Sequence, residues 1–266
     1  VDLLLIPLVG ALIGAVSLVS GFGLGTVLMP VYAVFFPLDV AIAATAVVHL
    51  VNNLFKLALV GRWAKRAVVL RFGVPAIAAA LVGAALMTTI ARATPLVTYG
   101  IGSATAEVTW LKLMIAALLA VFAALELWPR YQKLALPPRA LPIGGALSGF
   151  FGGISGMQGA LRAPFLLRVG LTKDEYVGTT NVVSTMVDVV RLVIYAAGLA
   201  FAAGSDAHAD LAHPRTILLI ALACVAGCVG ALIGRRHLRG MTMEGVRLVV
   251  AALLFLAAAA LGAGIV

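Results

Sequence analysis

Two apolar stretches carry polar side chains at helical spacing. In segment 39–60, Thr45, His49, Asn52, Asn53 and Lys56 fall at i, i+4, i+7, i+8 and i+11. That spacing puts them on one face of a helix. In segment 175–199, Thr180, Ser184, Asp188 and Arg191 also share a face. Charged side chains deep in a bilayer cost roughly 2.5–3.5 kcal/mol each on insertion scales, so they pair or line a wet pathway. The chemistry these types suit is anion binding. Arg191 supplies charge, and Thr45, Asn52, Asn53 and Thr180 supply hydrogen bonds. His49 and Asp188 are the titratable groups that could couple binding to protons, because histidine changes charge near neutral pH. A second cluster, Gln158 and Arg162, sits beside a glycine-rich break in a short apolar segment. A full charge there calls for a bound anion or an acidic neighbour such as Asp188.

Each residue also has a plainer role open to it. Asp188 and Arg191 can hide two charges as an i,i+3 ion pair. The asparagines can join helices, and His49 can be a satisfied core histidine. Lys56 and Arg162 can snorkel to an interface; otherwise Lys56 adds to the positive charge of the site. An intramembrane enzyme using His49 as base and Ser184 as nucleophile lacks an acid in a triad pattern. No catalytic residue, cofactor or metal is therefore expected. Cation transport would need acidic groups in the site, and only Asp188 lies deep in an apolar segment.

The positioning elements follow from hydropathy. Of 266 residues, 63% are hydrophobic and 11% charged, and the mean hydropathy is +1.15. A soluble protein of this size needs a far more polar surface, and strands of about ten alternating residues, as in a barrel, are missing. The net charge of +9 does not indicate nucleic acid, because the basic residues cluster in short loops. Cys224 and Cys228, one turn apart in an apolar segment, read as buried small hydrophobes. The predicted fold is an all-α polytopic membrane protein with apolar segments 3–20, 24–36, 39–60, 67–91, 111–128, 141–154, 157–170, 175–199, 216–234 and 246–265. Segments 24–36, 141–154 and 157–170 are too short for ordinary spans of about 20 residues. Each half thus begins with a hairpin, re-entrant or crossing, followed by three helices.

The first repeat is 1–128, with hairpin 3–36 and helices 39–60, 67–91 and 111–128. Residues 129–140 are a cytoplasmic linker. The second repeat is 141–266, with hairpin 141–170 and helices 175–199, 216–234 and 246–265. Gly10, Gly25 and Pro30 recur 134 positions later as Gly144, Gly159 and Pro164, and the polar stripes match at 135. Three loops are rich in Arg and Lys: Arg62–Arg71, Arg130–Arg139 and Arg235–Arg247. Placing them in the cytoplasm puts both termini outside and inverts the second copy relative to the first. No basic n-region precedes the first apolar segment, so no removable signal peptide is expected.

Gly21, Gly23 and Gly25 break the first hairpin, and Gly152, Gly153, Gly156 and Gly159 the second. Glycine-interrupted segments at corresponding places in two halves point to a secondary transporter's binding site. A helix starting at such a break offers free N–H groups to an anion. Gly145, Gly149 and Gly153, at four-residue spacing, read as a close-packing face instead.

The paired runs GFGLGTVLMP and GISGMQGALRAP, the Ala44-Thr45 and Gly178-Thr179-Thr180-Asn181 helix starts, the internal repeat and the length resemble the TauE/SafE family of sulfite exporters over essentially the whole chain. The resemblance implies export of sulfite or a small organosulfonate across a bacterial inner membrane without covalent chemistry. It also implies a turn and binding region at Gly23, Gly25, Thr45, Gly159, Thr179 and Thr180. The family's hairpins usually have a denser glycine run, which Leu24, Met157 and Gln158 interrupt here and Arg162 intrudes upon. The expected function is a secondary transporter with alternating access at a midplane site. An anion channel, or a transporter of another small anion, is the alternative. Expected partners are the anion, protons and the bilayer; small-residue faces also leave a homodimer open.

Overall fold

The computed structural model describes residues 1–20, 24–101, 104–201, 206–237 and 243–266. In the first half, helices α1 (Asp2–Ser20) and α2 (Leu24–Ala33) are followed by α3 (Leu38–Val60) and α4 (Arg66–Ile90), the hairpin β1 (Val97–Ile101) and β2 (Ala104–Val108), and α5 (Trp110–Leu127). In the second half, α6 (Leu141–Ser155) and α7 (Gly159–Leu166) precede α8 (Lys173–Phe201), the short α9 (Asp206–Ala212), α10 (Pro214–His237) and α11 (Met243–Gly262). Among the described residues, five helices are long and apolar enough to cross a membrane: Leu38–Trp63, Arg66–Ile90, Trp110–Leu127, Lys173–Gly198 and Pro214–Gly234. The chain is therefore a mostly helical membrane protein.

One element departs from the all-α expectation. Strands β1 and β2 pair antiparallel, from Val97 opposite Val108 to Ile101 opposite Ala104. The sequences VTYGI and ATAEV are short and only weakly alternating, so they read as loop. The hairpin is held from outside: Glu107 N–H donates to the Gly264 carbonyl at 3.2 Å. Gly264 has φ +69, and a Cβ there would lie 2.6 Å from the Glu107 carbonyl oxygen. Helix α4 contains a π turn at Val69–Gly73, just before Pro75. The proline lacks an N–H and its ring would clash with the carbonyl four residues back; the wider turn accommodates both.

Both hairpins return the chain to the end from which they start. α6 has 15 residues and α7 eight, about 22 and 12 Å of helix, against a hydrocarbon core of about 30 Å. Leu136 N–H donates to the Pro164 carbonyl at 2.8 Å, and the Phe165 ring lies against Gly144 at the start of α6. In the first hairpin, Phe35 and Phe36 share a cavity with Val1, Asp2 and Arg215. Arg215 pairs with Asp2 at 2.8 Å.

The most extensive helix contacts are α1 with α10, α4 with α6, α5 with α11, and α3 with α8. Glycines make the first two so close. A Cβ on Gly145, Gly149 or Gly153 would overlap the carbonyl oxygens of Phe72, Ala76 and Ala80 respectively. The expected packing face is thus the contact with α4. Gly230 and Gly234 meet the carbonyls of Ala11 and Ala15 in the same way. In both pairs the contacts advance in the same chain direction, so the helices run parallel.

Candidate functional site

Helices α3 and α8 cross at the centre and bring their polar stripes together. Asp188 is fully buried, and His49, Asn53 and Arg191 are buried around it. His49 Nδ1 lies 2.7 Å from Asp188 Oδ2. Asn53 Nδ2 donates to the same oxygen at 2.7 Å. A carboxylate at that distance requires a proton on Nδ1, so the 3.2 Å approach of Asn53 Nδ2 to Nδ1 joins two donors and is not a hydrogen bond. Asn181 Nδ2 donates to Asn53 Oδ1 at 3.3 Å and aims the amide.

The other carboxylate oxygen of Asp188 lies 3.0 Å from Arg191 Nη2, an i,i+3 ion pair. This pair does not use up the guanidinium. Apart from Asp188 and the neighbouring Tyr195 hydroxyl, the three Arg191 nitrogens have no partner among the described residues, although the side chain is 0% exposed. Its position follows from the break in the second hairpin. Helix α6 ends at Gly156, whose φ is +79 and whose N–H caps the Gly152 carbonyl. A Cβ on Gly156 would overlap Arg191 Nη1, so this glycine supplies both the left-handed turn and room for the cation. Tyr195, one turn further along α8, donates its hydroxyl to the last-turn carbonyls of Gly153 (2.5 Å) and Ile154 (3.1 Å). That contact locks α8 onto the break.

Arg162, on α7, does not snorkel; it is 3% exposed. The expected acidic neighbour is not Asp188, which is committed to His49, Asn53 and Arg191. Neutral oxygens surround Arg162 instead. Nη1 donates to the Thr180 carbonyl at 2.8 Å and to Ser184 Oγ at 2.7 Å. Nη2 donates to Gln158 Oε1, and Nε reaches Ser148 Oγ at 3.4 Å. This leaves Gln158 Nε2 buried without a partner. Ser184 thus bonds Arg162 while His49 bonds Asp188, and the two are not brought together as a base and nucleophile.

The remaining candidates divide. Thr45 Oγ1 and both amide atoms of Asn52 are buried and unpartnered. Thr180 turns its hydroxyl back to the Tyr176 carbonyl, contributing its own carbonyl to Arg162 rather than a donor. Thr179 accepts the Lys65 N–H at 2.9 Å and anchors the loop after α3, outside the network. Gly25 lies in the first turn of α2 and Gly159 opens α7, while Gly23 lies outside the described residues. Lys56 is 5% exposed and donates to Ser17 Oγ at 2.6 Å, so it does not snorkel. Ser17, Ser148 and Tyr195 were not legible as site residues. Ser148 interrupts the glycine face of α6 and Ser17 stands one turn before a break, which are the only local signals they carry.

Cations and a carboxylate thus lie buried between two central helices, beside the break between α6 and α7. The match that places the protein runs over residues 6–261: the chain belongs to the sulfite exporter TauE/SafE family. Membership implies a membrane transporter of sulfite or related anions, with a small anionic substrate and the lipid bilayer as its partners. No curated protein and no solved structure matches the chain.

Proposed function

We propose that this protein is a secondary transporter that exports a small sulfur-containing anion, sulfite or an organosulfonate, across the bacterial inner membrane. The observation that carries the reading is the Arg191 guanidinium, fully buried with Asp188 and Tyr195 as its only partners among the described residues, which leaves donors to spare. A planar fork of donors matches an oxyanion in two-point contact. Gln158 lies across the same break, its Oε1 3.3 Å from where a Cβ of Gly152 would stand. Its free Nε2 adds a neutral donor, and Thr45 supplies a further hydrogen-bonding group on α3. Arg162 holds Gln158 and contributes charge.

Proton coupling follows from shared partners. An anion on Arg191 competes with Asp188 for the guanidinium. An Asp188 relieved of Arg191 holds a proton more readily through His49, so anion and proton favour each other's binding, and the linkage is reciprocal. The helix contacts support two inverted repeats: α1 on α10 has its counterpart in α6 on α4, and α3–α8 and α5–α11 are each self-matched. Inverted halves around a midplane site suit alternating access, with both termini outside.

The test is uptake of labelled sulfite into proteoliposomes, with and without an imposed pH gradient, beside empty vesicles. Saturable, gradient-sensitive flux that is lost in Arg191→Ala and Arg162→Ala, with both variants still inserted, is the expected result. Normal flux in both variants removes the anion site. Flux that neither saturates nor follows a gradient makes the protein an anion channel.

A further inference from the structure

The buried charges do not balance. Asp188 is offset by Arg191. Arg162 is solvated by the neutral groups already described. Lys56 has neither solution: among the described residues it makes no ion pair, and its one hydrogen bond is to Ser17. An ammonium has three donors, and Ser17 accepts for one of them. Ser17 donates its own O–H to the Gly14 carbonyl at 3.0 Å. The C-terminal end of α1 is therefore turned toward the amine, but a helix end presents only roughly half a charge. One turn before Lys56 on the same face of α3 stands Asn52, 0% exposed, with donor and acceptor both unpartnered.

Lys56 and Arg191 also occupy equivalent places. They are 135 positions apart, the interval that joins the two stripes. Each turns toward the first helix of its own hairpin: Arg191 toward the end of α6, Lys56 toward the end of α1. The two cations leave the central Asp188 contact in opposite directions along antiparallel helices.

We propose that Lys56, Asn52 and Ser17 form a second anion-binding subsite, at the first hairpin and separate from the one at Arg191. Lys56 supplies the charge, Asn52 Nδ2 a neutral donor and Ser17 the orientation of the amine. The ligand is a small oxyanion of the transported class, so the inference rests on the transport reading while adding a second ion per chain.

Equilibrium dialysis of the purified full-length protein in lipid nanodiscs against labelled sulfite counts the ions. Wild type and Lys56→Arg bind two equivalents, and Lys56→Gln binds one. Asn52→Ala keeps two but weakens one of them about tenfold, and it carries the test if Lys56→Gln does not fold. One equivalent in wild type, unchanged in Lys56→Gln and lost in Arg191→Gln, overturns the second subsite and leaves the transport site standing. Two equivalents that persist in Lys56→Gln and keep their affinity in Asn52→Ala also overturn it. No binding of sulfite, taurine or sulfoacetate overturns both.

Discussion

Asn53 donates to Asp188 at 2.7 Å, and the two are 135 positions apart, the interval that superimposes one polar stripe on the other. A residue that touches its own counterpart lies on the axis relating the copies. On the proposed repeat, the carboxylate that could take a proton therefore sits where the halves meet, and a change in its charge reaches both.

Removing that carboxylate should be felt first as instability. Asp188→Asn leaves Arg191 buried without its counter-charge and only one acceptor oxygen for His49, Asn53 and Arg191 to share, a loss of about 3–5 kcal/mol. Thermal unfolding in detergent should show a large drop in Tm. Combining it with Arg191→Gln should recover part of the loss, with a coupling of about 0.5–3 kcal/mol. Additive effects would mean that the 3.0 Å pair contributes no coupling energy.

His49 separates binding from coupling. His49→Gln keeps an amide donor for Asp188 but does not titrate. Sulfite flux in proteoliposomes should stay saturable and lose its response to an imposed pH gradient. An undiminished response would move the coupling role elsewhere.

Gly156 joins backbone and site. Gly156→Ala places a side chain in a left-handed turn, at about 1–2 kcal/mol, and pushes its Cβ into the Arg191 guanidinium. The variant should insert, unfold at a modestly lower temperature and lose anion binding. Binding at wild-type affinity would show that Arg191 need not rest on the break.

Glycines in the helix contacts should behave differently from those in open space. Gly149→Ala drives a methyl into the Ala76 carbonyl and should cost about 1–3 kcal/mol. Gly100→Ala meets nothing within 4 Å and should change stability by less than about 0.5 kcal/mol. Unfolding of both variants in the same detergent makes the comparison.

Much of this arrangement could be read from spacing. Helical periodicity marked His49, Asn53, Asp188 and Arg191 as one face each, and glycine at four-residue intervals marked α6 as a packing surface. What spacing could not give was partner choice. Two arginines competed for Asp188; the i,i+3 spacing offered Arg191, and only the packing of α7 against α8 shows Arg162 turning to Ser184 and the Thr180 carbonyl instead. Ser17 and Tyr195 act on helices distant in sequence, so nothing local distinguished them. Strands β1 and β2 escaped notice because their hold comes partly from Gly264, more than 150 residues away.

Each hairpin is clasped by a helix from the other half: α1 by α10, and α6 by α4. For α6 the clasp is already in place when it is synthesised. For α1 it is a helix about 200 residues further on, so the small-residue face at Gly10, Ala11, Gly14 and Ala15 must wait in lipid until residues 223–234 emerge. α1 is thus made well before the helix that secures it, and a polypeptide stopped before α10 would leave the ribosome with that seam open.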